Sequence, residues 1–228
     1  MIIIPTCDGG EAFQRLIKSI EKFGPVNQMI IVCDTRPESA EPLETFRQVV
    51  CAGPHYTTGA WSWVLAQGFR IHSNREPIVL LHDSMEITKG GWFEDWTERL
   101  QGNVGAVALA GFPMAWDSYE QLQWVAKWCP MTQAVKWGFF GCSFATTAGA
   151  LRQSAIHMPL SEDDHKAFAP CRFPLPTTKL EDTAMERAWP HLFVNAGYEV
   201  QAIVPHYGQF LRGEEASIGV RKHFMHRL

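Results

Sequence analysis

The segment Ile78-Val-Leu-Leu81 is an unbroken apolar run of strand length that stops abruptly at His82-Asp83-Ser84. A run with no polar alternation reads as a strand buried on both faces of a sheet, and such strands belong to parallel sheets covered by helices. In those sheets the carboxyl ends of the strands are where ligands bind. A polar strand-to-turn exit with a solvated aspartate has the same local pattern.

The rest of the first hundred residues fits that constraint. Ile2 to Ile4 is a short β-branched run ended by Pro5 and followed by Thr6-Cys7-Asp8-Gly9-Gly10. Phe13, Leu16, Ile17 and Ile20 then recur at helical spacing, which predicts a helix from the glycines to just before Gly24-Pro25. Met29 to Cys33 is a second apolar run, closed by Asp34-Thr35-Arg36-Pro37. A helix is expected over Ser39 to Arg47, a short strand over Gln48 to Cys51, and an Ala- and Trp-rich helix over Thr58 to His72. Strands alternating with helices in this way indicate parallel βαβ units and a Rossmann-like half.

Beyond it, Val104 to Ala110 and Phe139 to Thr146 read as strands, Trp116 to Trp128 as a helix, Leu180 to Ala196 as a helix and Glu199 to Val204 as the last strand. The Pro-dense stretch from Met158 to Pro176 reads as a loop. Nine tryptophans are present, several between residues 116 and 137. They suit a platform for sugar rings or bases, but large aromatics more commonly supply buried area.

At 228 residues the chain has the length of one compact domain with a large sheet. A net charge of −4 gives no general attraction to nucleic acid or acidic membranes. The one notably basic tract runs from Arg221-Lys222-His223 to His226-Arg227. No apolar stretch reaches membrane-spanning length, and the opening residues lack the leader and length of a signal sequence. The six cysteines show no CxxC pair or metal-knuckle spacing and read as small buried hydrophobes. A cytoplasmic protein with reduced thiols is expected.

Four places carry side chains suited to chemistry. Asp34, at the exit of its strand, suits hydrogen bonding to a ribose or base, or equally a plain turn. His82-Asp83-Ser84-Met85-Glu86 offers hard oxygen ligands for Mg2+ or Mn2+, with the imidazole favouring Mn2+. Glu181 and Asp182 open a predicted helix, with Glu186 further along; acidic residues there also complement the helix dipole. His206 follows the expected last strand.

In that order, these segments resemble the inverting glycosyltransferases of family two, which have the GT-A fold. Ile3-Ile4-Pro5-Thr6-Cys7-Asp8 is similar to their first strand and loop, and Ile30-Ile31-Val32-Cys33-Asp34 to their second-strand I-V-V-D-D motif. Gly59-Ala60 to Ala66-Gln67-Gly68 resembles the helix ending in N-x-G. Leu80-Leu81-His82-Asp83-Ser84-Met85-Glu86-Ile87-Thr88, with Gly91-Trp92, resembles the family's D-x-D region, although its two acidic places fall on His82 and Ser84. The likeness returns at Gly141-Cys-Ser-Phe-Ala145, Glu181-Asp182, Asn195-Ala-Gly-Tyr-Glu-Val200 and His206-Tyr207-Gly208.

The resemblance implies one α/β domain of GT-A fold over residues 1–228. Residues 1–110 would form the nucleotide-sugar half around a Rossmann-like, mostly parallel central sheet flanked by helices, and residues 111–228 a smaller acceptor half. It implies a hexosyltransferase-like enzyme that uses a nucleotide-diphosphate sugar, first among them a UDP-sugar, with Mn2+ or Mg2+. Pro5, Thr6, Asp8, Asp34, Gly59, His82 and Asp83 would line the donor site. Asp83, with Glu86 and His206, would hold the metal. Asp182 would be the general base and Glu181 the neighbouring candidate. The acceptor is left open between a saccharide, a lipid-linked sugar, a protein and a modified nucleic-acid base, the last disfavoured by charge. Two rivals stand beside it: a nucleotidyltransferase, for which Thr6-Cys7-Asp8-Gly9-Gly10-Glu11 lacks the usual basic phosphate loop, and a non-catalytic nucleotide- or sugar-binding protein on a degenerate transferase scaffold.

Overall fold

The computed structural model describes residues 1–6, 9–25, 27–34, 46–50, 57, 60, 61, 64, 73–113, 119–135, 137–155 and 178–223. Asp8, Gly59, Trp116, residues 39–45 and the Pro-dense stretch therefore lie outside the described residues, as does most of the helix expected over 58–72.

Four parallel strands form the first half of the sheet. β1 (Ile2–Thr6) lies between β2 (Ile30–Asp34) and β4 (Pro77–Leu80), and β3 (Arg47–Val50) pairs with β2. Side chains alternate across this sheet into two buried clusters. Ile3, Ile31, Ile78 and Leu80 belong to one cluster, and Ile2, Ile4, Val32, Val79 and Leu81 to the other. The apolar run at 78–81 is thus buried on both sides, as its lack of alternation required.

β1 runs two residues further than Pro5 suggested. The carbonyls of Met1 and Ile3 accept from Val79 and Leu81, so odd-numbered residues of β1 face β4. By that period the amide that Pro5 lacks would also face β4, which has already ended at Leu80. Proline is tolerated in a sheet where its missing N–H has no partner to lose.

α1 (Glu11–Phe23) covers one face through Phe13, Leu16, Ile17 and Ile20. Its buried Ser19 donates to the Leu16 carbonyl at 2.7 Å and accepts from the Ile87 amide at 3.0 Å. That contact ties the helix to β5 (Met85–Ile87), a short strand the sequence pattern did not announce. Gly24 ends α1 with its amide 2.6 Å from the Ile20 carbonyl. A Cβ there would lie 2.4 Å from the same oxygen, so close approach is what demands glycine. The same face takes α2 (Trp92–Thr97), whose Trp96 indole donates to the Val107 carbonyl at 2.8 Å.

The sheet continues as β4, β8 (Phe144–Thr147), β6 (Val104–Pro113), with β8 antiparallel to both neighbours. β9 (Glu199–Val204) runs parallel to the first part of β6, and β7 (Trp137–Phe139) antiparallel to its end. One strand was expected over 139–146; two are present. Phe140–Cys142 forms a tight turn between them because Gly141 adopts φ 61, a left-handed conformation that breaks a strand. Nor is β9 the last strand, since β10 (Val220–Lys222) returns to pair antiparallel with β5.

The other face is covered by α3 (Tyr119–Trp128), α4 (Ala148–Ala155) and α5 (Lys179–Asn195). Trp189 is buried 4.8 Å from Phe144 and stacked on Phe193. Trp61, Trp92, Trp96 and Trp189 are fully buried, which favours the core reading for those four of the nine tryptophans. No described helix is long and apolar enough to cross a membrane.

His191 sits on the buried side of α5. Its Nδ1 accepts from the Thr132 amide at 3.1 Å, and its Nε2 is buried with no partner among the described residues. Burial lowers its pKa from 6.5 to about 4. Between those values the unfolded chain takes up a proton that the folded chain refuses, so stability falls as the pH drops from 6.5 toward 4 and then levels off. His191→Gln keeps an acceptor for Thr132 and removes the titration. It is expected to flatten the fall in thermal stability over that window, and a slope equal to wild type would refute the assignment.

Candidate active site

The carboxyl edge of β1, β2 and β4 gathers five of the expected positions, Pro5, Thr6, Asp34, His82 and Asp83. Thr6 lies opposite Asp34 in the β1–β2 ladder, and Pro5 opposite Cys33. Thr6 is 2% exposed, and its Oγ1 accepts from the Gly9 amide at 3.2 Å. Asp34 is the last residue of β2, and its backbone pairs on both sides; its side chain lies outside the described set.

At the exit of β4 the backbone is held from across the sheet. The His82 amide donates to the buried Ser143 Oγ at 3.0 Å, so the turn carrying Gly141 braces the tip. His82 Nδ1 lies 2.9 Å from Asp83 Oδ1, 2.9 Å from Ser84 Oγ and 3.3 Å from the Ser84 amide nitrogen. A bare Nδ1 accepts from Ser84; a protonated one donates to Asp83. One atom cannot do both, so this cluster has two settings. Burial first, then the charge of Lys222, lowers the His82 pKa, with Asp83 opposing. The imidazole is therefore held toward its neutral form.

Glu86, expected as a ligand, is engaged elsewhere. Arg221 lies opposite it in the β5–β10 ladder and meets its carboxylate at 2.7 Å, and His223 contacts the same oxygen. Burial alone would raise this carboxyl, but the hydrogen bonds from His223 and Arg221 outweigh it and lower the pKa. His206 lies exposed between β9 and α6 (Tyr207–Leu211). Asp83, Glu86 and His206 do not meet as a set; among the described residues no three His, Cys, Asp or Glu side chains gather as a metal site. Of the three, Asp83 alone stands at the tip, and one carboxylate there is the kind of donor that shares a cation with a diphosphate, whose phosphate oxygens complete the shell.

The second acidic cluster opens α5. Thr178 caps the helix by accepting from the Glu181 amide at 3.2 Å, which presents Glu181 and Asp182 in the first turn. Asp182 is 4% exposed, and Lys179 Nζ lies 2.8 Å from its carboxylate. Glu186 follows at i+4 on the same face. Burial pushes its pKa up to about 7, against the charges of Lys222, Arg187 and Lys179 and with that of Asp182.

Lys222 and Lys179 thus act electrostatically on both His82 and Glu186. The β4 exit and the first turns of α5 share one charged neighbourhood, although about a hundred residues separate them in sequence. Sequence reasoning left Lys179, Lys222 and Ser143 without a role. Their signals were faint: a lysine beside a cap, one cation in a basic tail, and a serine within Gly-Cys-Ser. A cavity of about 660 Å3, lined in part by Asn74, Gln101, Thr147 and Tyr198, opens at the opposite, amino edge of the sheet and takes no part in this cluster.

The fold is similar to that of glucosyl-3-phosphoglycerate synthase from Mycobacterium tuberculosis in complex with Mn2+, uridine diphosphate and glucosyl-3-phosphoglycerate. The TM-score is 0.51 at 13% identity, over 90% of this chain and 69% of that one. The same enzyme in complex with phosphoglyceric acid aligns with TM-score 0.48 at 12% identity, over 90% and 69%. A mycobacterial protein aligns with TM-score 0.41 at 15% identity, over 67% of this chain and 54% of that one. No protein-family model matches the chain, and no curated protein matches it in sequence. The chain has the GT-A fold, a mixed α/β architecture with a mostly parallel central sheet flanked by helices.

Proposed function

We propose that this chain is a glycosyltransferase that moves a sugar from a nucleotide-diphosphate donor, a UDP-sugar, to an acceptor hydroxyl with inversion at the anomeric carbon. One observation carries the reading. The carboxyl edge of the parallel strands, with Thr6, Asp34, His82 and Asp83, shares a charged neighbourhood with the buried Asp182 of α5. Such edges bind nucleotides in α/β folds. A carboxylate beyond that edge can take the proton of an acceptor hydroxyl as a general base. The GT-A fold adds support, as does the nucleotide and metal held by the similar synthase.

In this reading the base and ribose lie against Asp34 and the diphosphate at His82-Asp83. Asp83, with phosphate oxygens of the donor, would hold a divalent cation, Mn2+ or Mg2+, whose chemistry when bound is Lewis-acid neutralisation of a diphosphate. Asp182 takes the proton of the acceptor hydroxyl. The hydroxyl oxygen bonds to the anomeric carbon from the face opposite the diphosphate, and the bond from that carbon to the diphosphate oxygen breaks, its electron pair leaving with the nucleotide. Ser143 keeps the strand exit in place while charge moves past it.

A panel of nucleotide sugars with Mn2+ tests the class of reaction. Release of a nucleoside diphosphate is expected, abolished by exhaustive chelation and restored by added Mn2+. Pyrophosphate release would instead mark a nucleotidyltransferase, and binding without turnover a non-catalytic protein. Activity untouched by chelation would remove the cation from the proposal.

A further inference from the structure

The returning strand β10 brings a cation to the tip of β4. Arg221 faces Glu86 across the ladder and Lys222 faces Met85. Successive side chains of a strand leave on opposite sides. Arg221 goes to the Glu86 carboxylate at 2.7 Å. Lys222 goes the other way, where its Nζ stands 5.0 Å over the Phe140 ring. The same Nζ lies 2.9 Å from where a Cβ on Gly141 would sit, so a side chain there would crowd the ammonium.

That position is fixed to the tip from two directions. Gly141 belongs to the turn whose Ser143 accepts from the His82 amide, and the residue after Lys222, His223, donates its own amide to the Ser84 carbonyl at 2.8 Å. The ammonium is therefore strapped beside His82-Asp83-Ser84 by the C-terminal strand, and its charge reaches both His82 and Glu186.

A diphosphate entering this neighbourhood meets Asp83, Asp182 and Glu186, all of which repel it once ionised. Lys179, Arg187 and Lys222 all bear on this neighbourhood, each with contacts of its own. Lys179 pairs with Asp182 three residues along its helix, and Arg187 lies 4.7 Å over the Phe112 ring. Lys222 comes from a separate strand, on the tip's side. A compact ammonium with three donors is suited to phosphate oxygens as a point charge.

We infer that Lys222 binds the diphosphate of the donor, so that the C-terminal strand completes the nucleotide site. This rests on the donor-site reading above and deepens it. The test is a calorimetric titration of wild type, Lys222→Gln and Lys222→Arg with UDP, ADP, GDP, CDP and dTDP, and with the nucleoside parent of the tightest binder. Thermal unfolding of each variant is measured alongside. Lys222→Gln is expected to weaken the diphosphate by about ten- to a hundredfold, the range of a charge-assisted hydrogen bond, with the nucleoside unchanged. Lys222→Arg is expected to recover most of the loss, because the charge is kept. Equal diphosphate affinity in wild type and Lys222→Gln would overturn the inference while leaving the donor site standing. Equal losses for nucleoside and diphosphate would overturn it too, as those of a damaged fold. A wild-type chain that binds none of the five diphosphates would overturn the donor-site reading and the Lys222 inference together.

Discussion

Asp182→Asn is expected to lower the rate of sugar transfer by about a hundred- to ten-thousand-fold, the range a positioned general base contributes. Nucleotide affinity should not fall, because Asp182 belongs to α5 and the proposed donor site lies at the strand exits of β1, β2 and β4. The substitution is nearly isosteric and leaves the Thr178 cap intact, so Asn can still accept from Lys179. It removes the negative charge and, with it, the ability to take a proton. The decisive comparison is single-turnover rate against nucleotide dissociation constant. Near-normal turnover would strip Asp182 of the role and pass it to Glu181, its neighbour, or to Glu186, one turn along and already shifted to about 7 by burial. A loss of nucleotide binding equal to the loss of rate would mean that the carboxylate serves the donor instead.

The second large effect concerns the seat of that helix. Trp189→Ala should cost about 3–5 kcal/mol of unfolding free energy, as deletions of large buried aromatics do. Trp189 is fully buried, 4.8 Å from Phe144 of β8 and stacked at 6.2 Å on Phe193, whose ring is in turn 6.2 Å from Phe139. Phe139, Phe144 and Phe193 are themselves fully buried, so little can move in to fill the hole. Pro190 lies within the same helix, which leaves α5 one fewer internal hydrogen bond and makes its packing correspondingly important. Urea denaturation measures the loss directly. A cost below about 1 kcal/mol would be that of a tolerated surface change and would show that α5 is not seated by this cluster. Because Asp182 rides on the same helix, residual activity in folded Trp189→Ala should fall as well.

Several elements could be read locally because their physical signatures are local. The run at 78–81 lacks any polar alternation, and only burial on both faces tolerates that; the two clusters that split Ile78 and Leu80 from Val79 and Leu81 are its realisation. The periodicity of Phe13, Leu16, Ile17 and Ile20 likewise placed α1, and the helix expected over Leu180 to Ala196 is α5, Lys179–Asn195. The turn at Gly141 escaped notice because a single left-handed glycine inside an aromatic stretch looks like strand in any window average.

Long-range pairing was a different matter. Glu86 has the look of a metal ligand two residues past the tip, yet Arg221 reaches it from 135 positions away. No window around Glu86 contains that information. The register of β10 against β5 supplies it, and the same register delivers Lys222 to the other side of the strand.

Local chemistry thus sets which strands are buried, where the sheet's carboxyl edge falls and which acidic side chains stand on it, since burial and capping depend on neighbours in sequence. Which of those carboxylates are neutralised, which cation stands beside the tip, and whether Asp182 comes within reach of the strand exits are settled only when distant segments meet. Those outcomes depend on strand register and helix packing, and neither is encoded near the residues they govern.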